Sequence, residues 1–405
     1  MEFEIIPGGV TAAPGFTASG LHCGIRKNRS APDLALIMSD RSCAAAAVYT
    51  TNKVKAAPIW LTMEHLKDGK ARGIIANSGN ANACAPGGMD AAKKMVQSVA
   101  SETGLAPEDF IVNSTGVIGQ PLPVDVITAA VPKLVSTLST DGSTAAEAIM
   151  TTDTFPKTVA VRFSLGGKQV TIGGIAKGSG MIHPNMATMF AFLTTDCDID
   201  SALLQSALGY SANRTYNRIS VDGDTSTNDI TAILASGSAG NTRITSKNAD
   251  YEIFLQALDM VNLKLAKDIA KDGEGATKLI TCRVSGASSE ENAVTLAKSV
   301  ITSSLVKSMM FGEDANIGRI MCALGYSGVD FDPTKVDLAL SSSEGRISVC
   351  EQGIGLVFNE EIAKQVISAS EVTIEVQMQE GRYEAEAYGC DLTYDYVKIN
   401  GDYRT

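Results

Sequence analysis

The chain has 405 residues, 44% of them hydrophobic and 20% charged, enough for two or more packed lobes and too apolar for a disordered protein. A net charge of −11 and a pI near 4.9 argue against a nucleic-acid partner or an anionic membrane surface. No apolar run nears the ~18 residues that span a bilayer, and the acidic start MEFEIIPGGV lacks the order of a signal peptide, so a soluble, cytoplasmic protein is expected.

In chain order, DLALIMSD (33–40) and AAAAVYTTN (44–52) read as two short strands, and the first 60 residues as strands and turns. RGIIANSGNANACAPGG (72–88) is a strand that opens into an Asn/Ser/Gly-rich loop. Asn77, Asn80 and Asn82 either line a site or supply turn geometry, and the turn is favoured. Apolar period places a helix over 90–103. FIVNSTGVIG (110–119) is a buried strand broken at Ser114-Thr115-Gly116, where a hydroxyl followed by glycine suits an oxyanion hole or an ordinary turn. A helix is expected near 143–151, opened by a capping box from Thr144 to Glu147, and the polar TTDT (151–154) follows. KTVAVRFSL (157–165) and KQVTIGGIA form a hairpin about Gly166-Gly167.

The chain then reaches Lys177–Phe190, KGSGMIHPNMATMF, a glycine turn stopped by Pro184 before an apolar strand that carries Thr188. The plain reading is a core strand whose threonine bonds a carbonyl. The alternative is a self-cleaving Ala187–Thr188 bond that leaves Thr188 as an N-terminal nucleophile, with its α-amine, pKa about 7.7–8.0, as a built-in base.

Asp200 caps a helix through about 214. The following ISVDGDTSTNDI (219–230) departs from a calcium loop, with Thr227 in place of glycine and Ile233 in place of glutamate. The eight cysteines are scattered without a C-x-x-C pair, so neither a disulfide framework nor a metal is expected. A long helix runs over 250–271. Glu274 beyond it is either a ligand-binding carboxylate or a solvated loop residue. From about 283 the pattern becomes a second α/β lobe, helix-rich and then strand pairs over 346–358 and 371–388 around a helix at 360–369. The tail, CDLTYDYVKINGDYRT, reads by itself as a frayed terminus.

K-G-x-G-M-I-x-P-x-M-A-T-M resembles the self-cleavage motif of the ornithine acetyltransferase (glutamate N-acetyltransferase) family. The likeness continues in order through GFTASG, TTNKVKAAP, ANSGNANAC, NSTGVIG, MTTDTFPK, SVDGDTSTND, KDGEGATK, GEDANIGR and INGDYRT, covering the whole chain. Phe190 stands where the family suggests leucine.

The resemblance implies a layered α/β sandwich of the amidase/ornithine-acetyltransferase type. Ala187–Thr188 would be the autocleavage bond, dividing an alpha chain, 1–187, from a beta chain, 188–405. The expected lobes are about 1–282 with 390–405, and about 283–389. Thr188 would be the nucleophile and Thr115 with Gly116 the oxyanion pair. Lys177, Glu274, Asn400, Thr405, Thr188 and a threonine of 151–154 (Thr151 the best match) would bind substrate. The implied reaction moves acetyl from N-acetylornithine to glutamate, with no bound cofactor, acetyl-CoA open as a second donor, and an α2β2 assembly. An amidase or aminopeptidase on the same fold is the alternative, and an uncleaved scaffold a remoter one.

Overall fold

A computed structural model describes residues 2–27, 30–183 and 189–402. The chain forms two compact units: residues 1–178, 184–217 and 225–269, and residues 179–183, 218–224 and 270–405. Each is a mixed α/β unit built on its own sheet, as expected. The units divide the chain elsewhere than the expected lobes, because residues 270–282 and the tail belong to the second unit.

The first sheet holds β1 (Glu4–Ile6), β2 (Phe16–Leu21), β3 (Leu34–Tyr49), β4 (Lys70–Asn77), β5 (Phe110–Ser114), β6 (Lys157–Leu165), β7 (Lys168–Lys177) and β8 (Phe190–Thr195). After β9 (Ile219–Ser220), which belongs to the second unit, β10 (Ile230–Ala235) completes it. The order is β1-β6-β7-β8-β10-β3-β4-β5, with β2 against β3. β8 and β10 run parallel, as do β4 and β5.

Alternation puts Ile37, Ile74 and Ile111 into one core and Leu36, Ile75 and Val112 into another on the opposite face. Strands buried on both sides read as continuous apolar runs, as these do. The expected hairpin is present, with Leu165 opposite Lys168. The two strands expected over 33–52 are one, because polar Asp40 to Ser42 occupy an irregularity in the β3–β4 register rather than a turn. Two helices, Ala57–His65 and Val124–Ser136, escaped the periodicity reading. The helix at Ser143–Ala148 is capped by Gly142, and Thr144 Oγ1 instead accepts the Gly20 N–H at 3.0 Å.

The second sheet adds β11 (Leu279–Ala287), β12 (Asp337–Ser342), β13 (Gly345–Glu351), β14 (Ile354–Gly355), β15 (Glu371–Gln377) and β16 (Tyr383–Cys390), in the order β14-β13-β12-β15-β11-β16-β9. β15 and β16 do not pair with each other, since β11 lies between them. One face packs on helices Glu290–Thr302, Ser304–Phe311, Ile317–Gly325 and Glu360–Ser368. The other carries surface ion pairs such as Arg283–Glu386. Within the tail, Tyr394–Gly401 form a helix, which the reading of a frayed terminus did not expect. No helix among the described residues is long and apolar enough to cross a membrane.

Candidate active site

In the first unit the site begins where strands end. β7 stops at Lys177, which pairs in register with Phe190 at the head of β8; Phe190 in turn pairs with Ile230 at the head of β10. Lys177 is buried, and its Nζ donates to Thr115 Oγ1 at 3.2 Å. Thr115 follows β5 and donates its N–H to the Asn77 carbonyl at 2.9 Å.

Gly116 has φ +129°, and a Cβ there would stand 2.3 Å from the Gly79 carbonyl carbon. Only glycine permits that approach. The 77–82 loop is therefore a support for Thr115-Gly116. Asn80 Nδ2 donates to the Gln120 and Pro121 carbonyls, and Asn82, at φ +49°, donates Nδ2 to the Gly88 carbonyl. These amides hold backbone, as the turn reading expected.

The stretch before β10 closes the other side. Asn228 donates Nδ2 to the Ala81 and Ser114 carbonyls, and its own carbonyl accepts Asn113 Nδ2 at 2.9 Å. Thr50 Oγ1 donates to the Ser226 carbonyl at 2.7 Å. Ser226 and Asn228 of the SVDGDTSTND stretch thus support the strand ends.

Asp153 is the group that the sequence reading passed over. Its covered carboxylate accepts Lys157 Nζ at 2.7 Å, the Gly178 N–H at 2.8 Å and the Thr151 N–H at 2.9 Å. It ties the loop carrying Thr151 to the residue after Lys177. Burial would raise this carboxyl, but the Lys157 and Lys177 ammonium groups and the Gly178 N–H outweigh it and bring it down to about 2. An acid four residues before a lysine was the signal in the sequence. Its weight is visible only once Lys157 proves wholly buried.

Within the second unit Glu274 is buried and accepts Asn400 Nδ2 at 2.8 Å. The Glu274 N–H donates to the Ser179 carbonyl at 3.0 Å, and Ser179 Oγ donates to the Asp272 carbonyl at 2.6 Å. A Cβ on Gly180 would lie 2.3 Å from the Glu274 carboxylate, so this glycine makes room for the acid rather than serving as a flexible turn. Asp222 accepts the N–H groups of Met181 and Ile182.

The structure thus brings Lys177 to Thr115-Gly116, links Thr151 to the same cluster through Asp153, and joins Glu274 to Asn400. Ala187, Thr188 and Thr405 lie outside the described residues.

The fold is of the layered α/β class, two mixed units each built on its own sheet. The chain belongs to the ArgJ family, whose sequence model matches residues 17–405. It is 52% identical to the arginine biosynthesis bifunctional protein ArgJ 1 of Clostridium acetobutylicum, over 98% of this chain and 97% of that one. It is 51% identical to the arginine biosynthesis bifunctional protein ArgJ of Caldanaerobacter subterraneus subsp. tengcongensis, over 99% and 100% respectively. Among solved structures it is similar to the ornithine acetyltransferase of Mycobacterium tuberculosis complexed with ornithine, at 37% identity and a TM-score of 0.42, over 46% of this chain and 100% of that one.

Proposed function

We propose that this chain cleaves itself between Ala187 and Thr188 and then carries acetyl from N-acetylornithine to glutamate on the Thr188 hydroxyl. The observation that carries the reading is the buried Lys177–Thr115 contact at the strand end whose register partner, Phe190, comes two residues after Thr188 in the sequence. In this reading Thr188 Oγ attacks the acetyl carbonyl, and the oxyanion rests on Thr115 and the Gly116 N–H. Ornithine leaves with a proton from the Thr188 α-amine. Glutamate then attacks the acetyl-threonine ester and regenerates the hydroxyl, a ping-pong cycle.

Lys177 pairs with the α-carboxylate that both substrates share, and Glu274, held by Asn400, takes the ornithine ammonium. Thr151 and Thr405 complete the binding set. Acetyl-CoA serves as a second acetyl donor, in keeping with the word bifunctional in the relatives' names. No bound cofactor is required. The two fragments stay together as an α2β2 assembly in the cytoplasm.

Steady-state assays test the reaction. N-acetylornithine and glutamate varied together should give parallel double-reciprocal lines, and acetyl-CoA should acetylate glutamate. Acetyl release to water without glutamate, at the rate seen with it, would replace the transferase by a hydrolase.

A further inference from the structure

Among the described residues of the first unit, the buried acid Asp229 has no place in the account above. Asp229 immediately precedes β10, and its Oδ2 has no hydrogen-bond partner. Buried polar atoms are nearly always paired, and orphans gather where chemistry needs them. Ser114 Oγ, at the end of β5, is orphaned too, and Asn228, the residue before Asp229, donates Nδ2 to the Ser114 carbonyl.

The backbone around Asp229 is firmly held. Its carbonyl accepts the Thr50 N–H at 3.0 Å, and the Ile230 N–H donates to the Met189 carbonyl at 3.0 Å. That second bond joins two residues whose predecessors in the chain are Asp229 and Thr188.

Two acids in this cluster feel Lys177, and their surroundings drive them apart. Asp153 is saturated with donors and stays ionised. Burial pushes Asp229 well above the usual carboxylate range, against the opposing pull of Ser226, Lys177 and Thr50. Such divergence is how one site comes to hold both a fixed charge and a movable proton.

We infer that Asp229 is the proton-transfer group of the self-cleavage step, its free carboxyl oxygen relaying the proton between the Thr188 hydroxyl and the Thr188 nitrogen. The inference rests on the reading of Thr188 as the nucleophile. In the step, Oγ bonds to the Ala187 carbonyl carbon and the carbon–nitrogen bond breaks. The hydroxyl proton passes to the carboxyl as the carboxyl's own proton passes to nitrogen, so Asp229 ends neutral. The product is an Ala187 ester on Thr188 Oγ beside a free α-amine. Water then adds to the ester carbon, the carbon–Oγ bond breaks, and Oγ regains a proton; one water is consumed overall.

Intact-mass analysis of freshly purified wild type, Asp229→Asn, Thr188→Ala and Asp196→Asn tests this. Asp196 is a second buried acid of the same sheet, beyond the opposite end of β8, where it accepts the Thr171 N–H. The wild type and D196N should be cleaved, T188A intact, and D229N slowed about 10²-fold or more. Thermal unfolding of uncleaved D229N, compared with uncleaved T188A, should fall at the same temperature or higher, since an unpaired buried acid is removed. Cleavage of D229N at the wild-type rate, or a D229N chain less stable than T188A, would overturn the inference and leave Thr188 untouched. A wild type that stays at 42.4 kDa would overturn both.

Discussion

Lys177 Nζ donates to Thr115 Oγ1 at 3.2 Å across 62 residues of sequence, and both side chains are buried. A hydroxyl that already receives a donor from an ammonium has its own proton free to aim at a developing oxyanion. Thr115→Ala should therefore lower kcat about 10²–10³-fold with little change in KM. Steady-state kinetics on N-acetylornithine check the split. A KM effect alone would make Thr115 a binding residue.

Lys177→Met should raise KM for N-acetylornithine and glutamate together, since the two share an α-carboxylate. A rise for one substrate only would remove that role.

Gly180→Ala should act on Glu274 without harming the fold. The new Cβ would press on the far end of a flexible side chain, which can swing aside and break its bond to Asn400. KM for N-acetylornithine should rise as it does in Glu274→Gln, with an unchanged melting temperature. Equal KM values for G180A and wild type would mean the carboxylate's position does not matter.

Asp153→Ala should cost about 3–5 kcal/mol of stability, because it takes one partner out of a buried ion pair with Lys157. In the wild type the carboxyl sits at about 2, below its ordinary value of 3.8. Its contribution is therefore fully present above pH 4 and fades as the pH falls from there towards 2. Urea unfolding across that window should show a loss that is missing in the double variant Asp153→Asn, Lys157→Met.

His183 should be neutral at pH 7. Burial, then the Lys298 ammonium, hold it down at about 4, against the opposing effect of Asp224. Its folded value lies below the ordinary 6.5, so the unfolded chain binds more protons between those limits. Stability from this residue declines as the pH drops through that interval. The imidazole carbon-bound protons in the NMR spectrum should titrate near pH 4, and a midpoint near 6.5 would contradict the packing.

Much of this architecture was legible in the residues. Alternation in 157–176 gave the hairpin, and Asp200 gave the start of the following helix. The misses have physical causes. Pro123 and Pro132 masked the helix Val124–Ser136, and Asp40 to Ser42 looked like a turn while sitting inside one strand. The role of Asp153 depends on three donors converging from residues near and far in the chain, and that of Gly180 on a carboxylate 94 positions away; no local pattern carries either. The residues themselves raised Thr115 and Glu274 as candidates and the family likeness added Lys177 and Asn400; the structure brings the four together as two clusters, each within its own unit.

The most direct measurement is the mass of the denatured protein after incubation with N-acetylornithine and no glutamate. The account predicts two fragments, of 187 and 218 residues, with one acetyl group on the second, lost again when glutamate is added. Peptide sequencing should place that acetyl group on the Thr188 hydroxyl. A single uncleaved chain, or an acetyl group on any other residue, would contradict it.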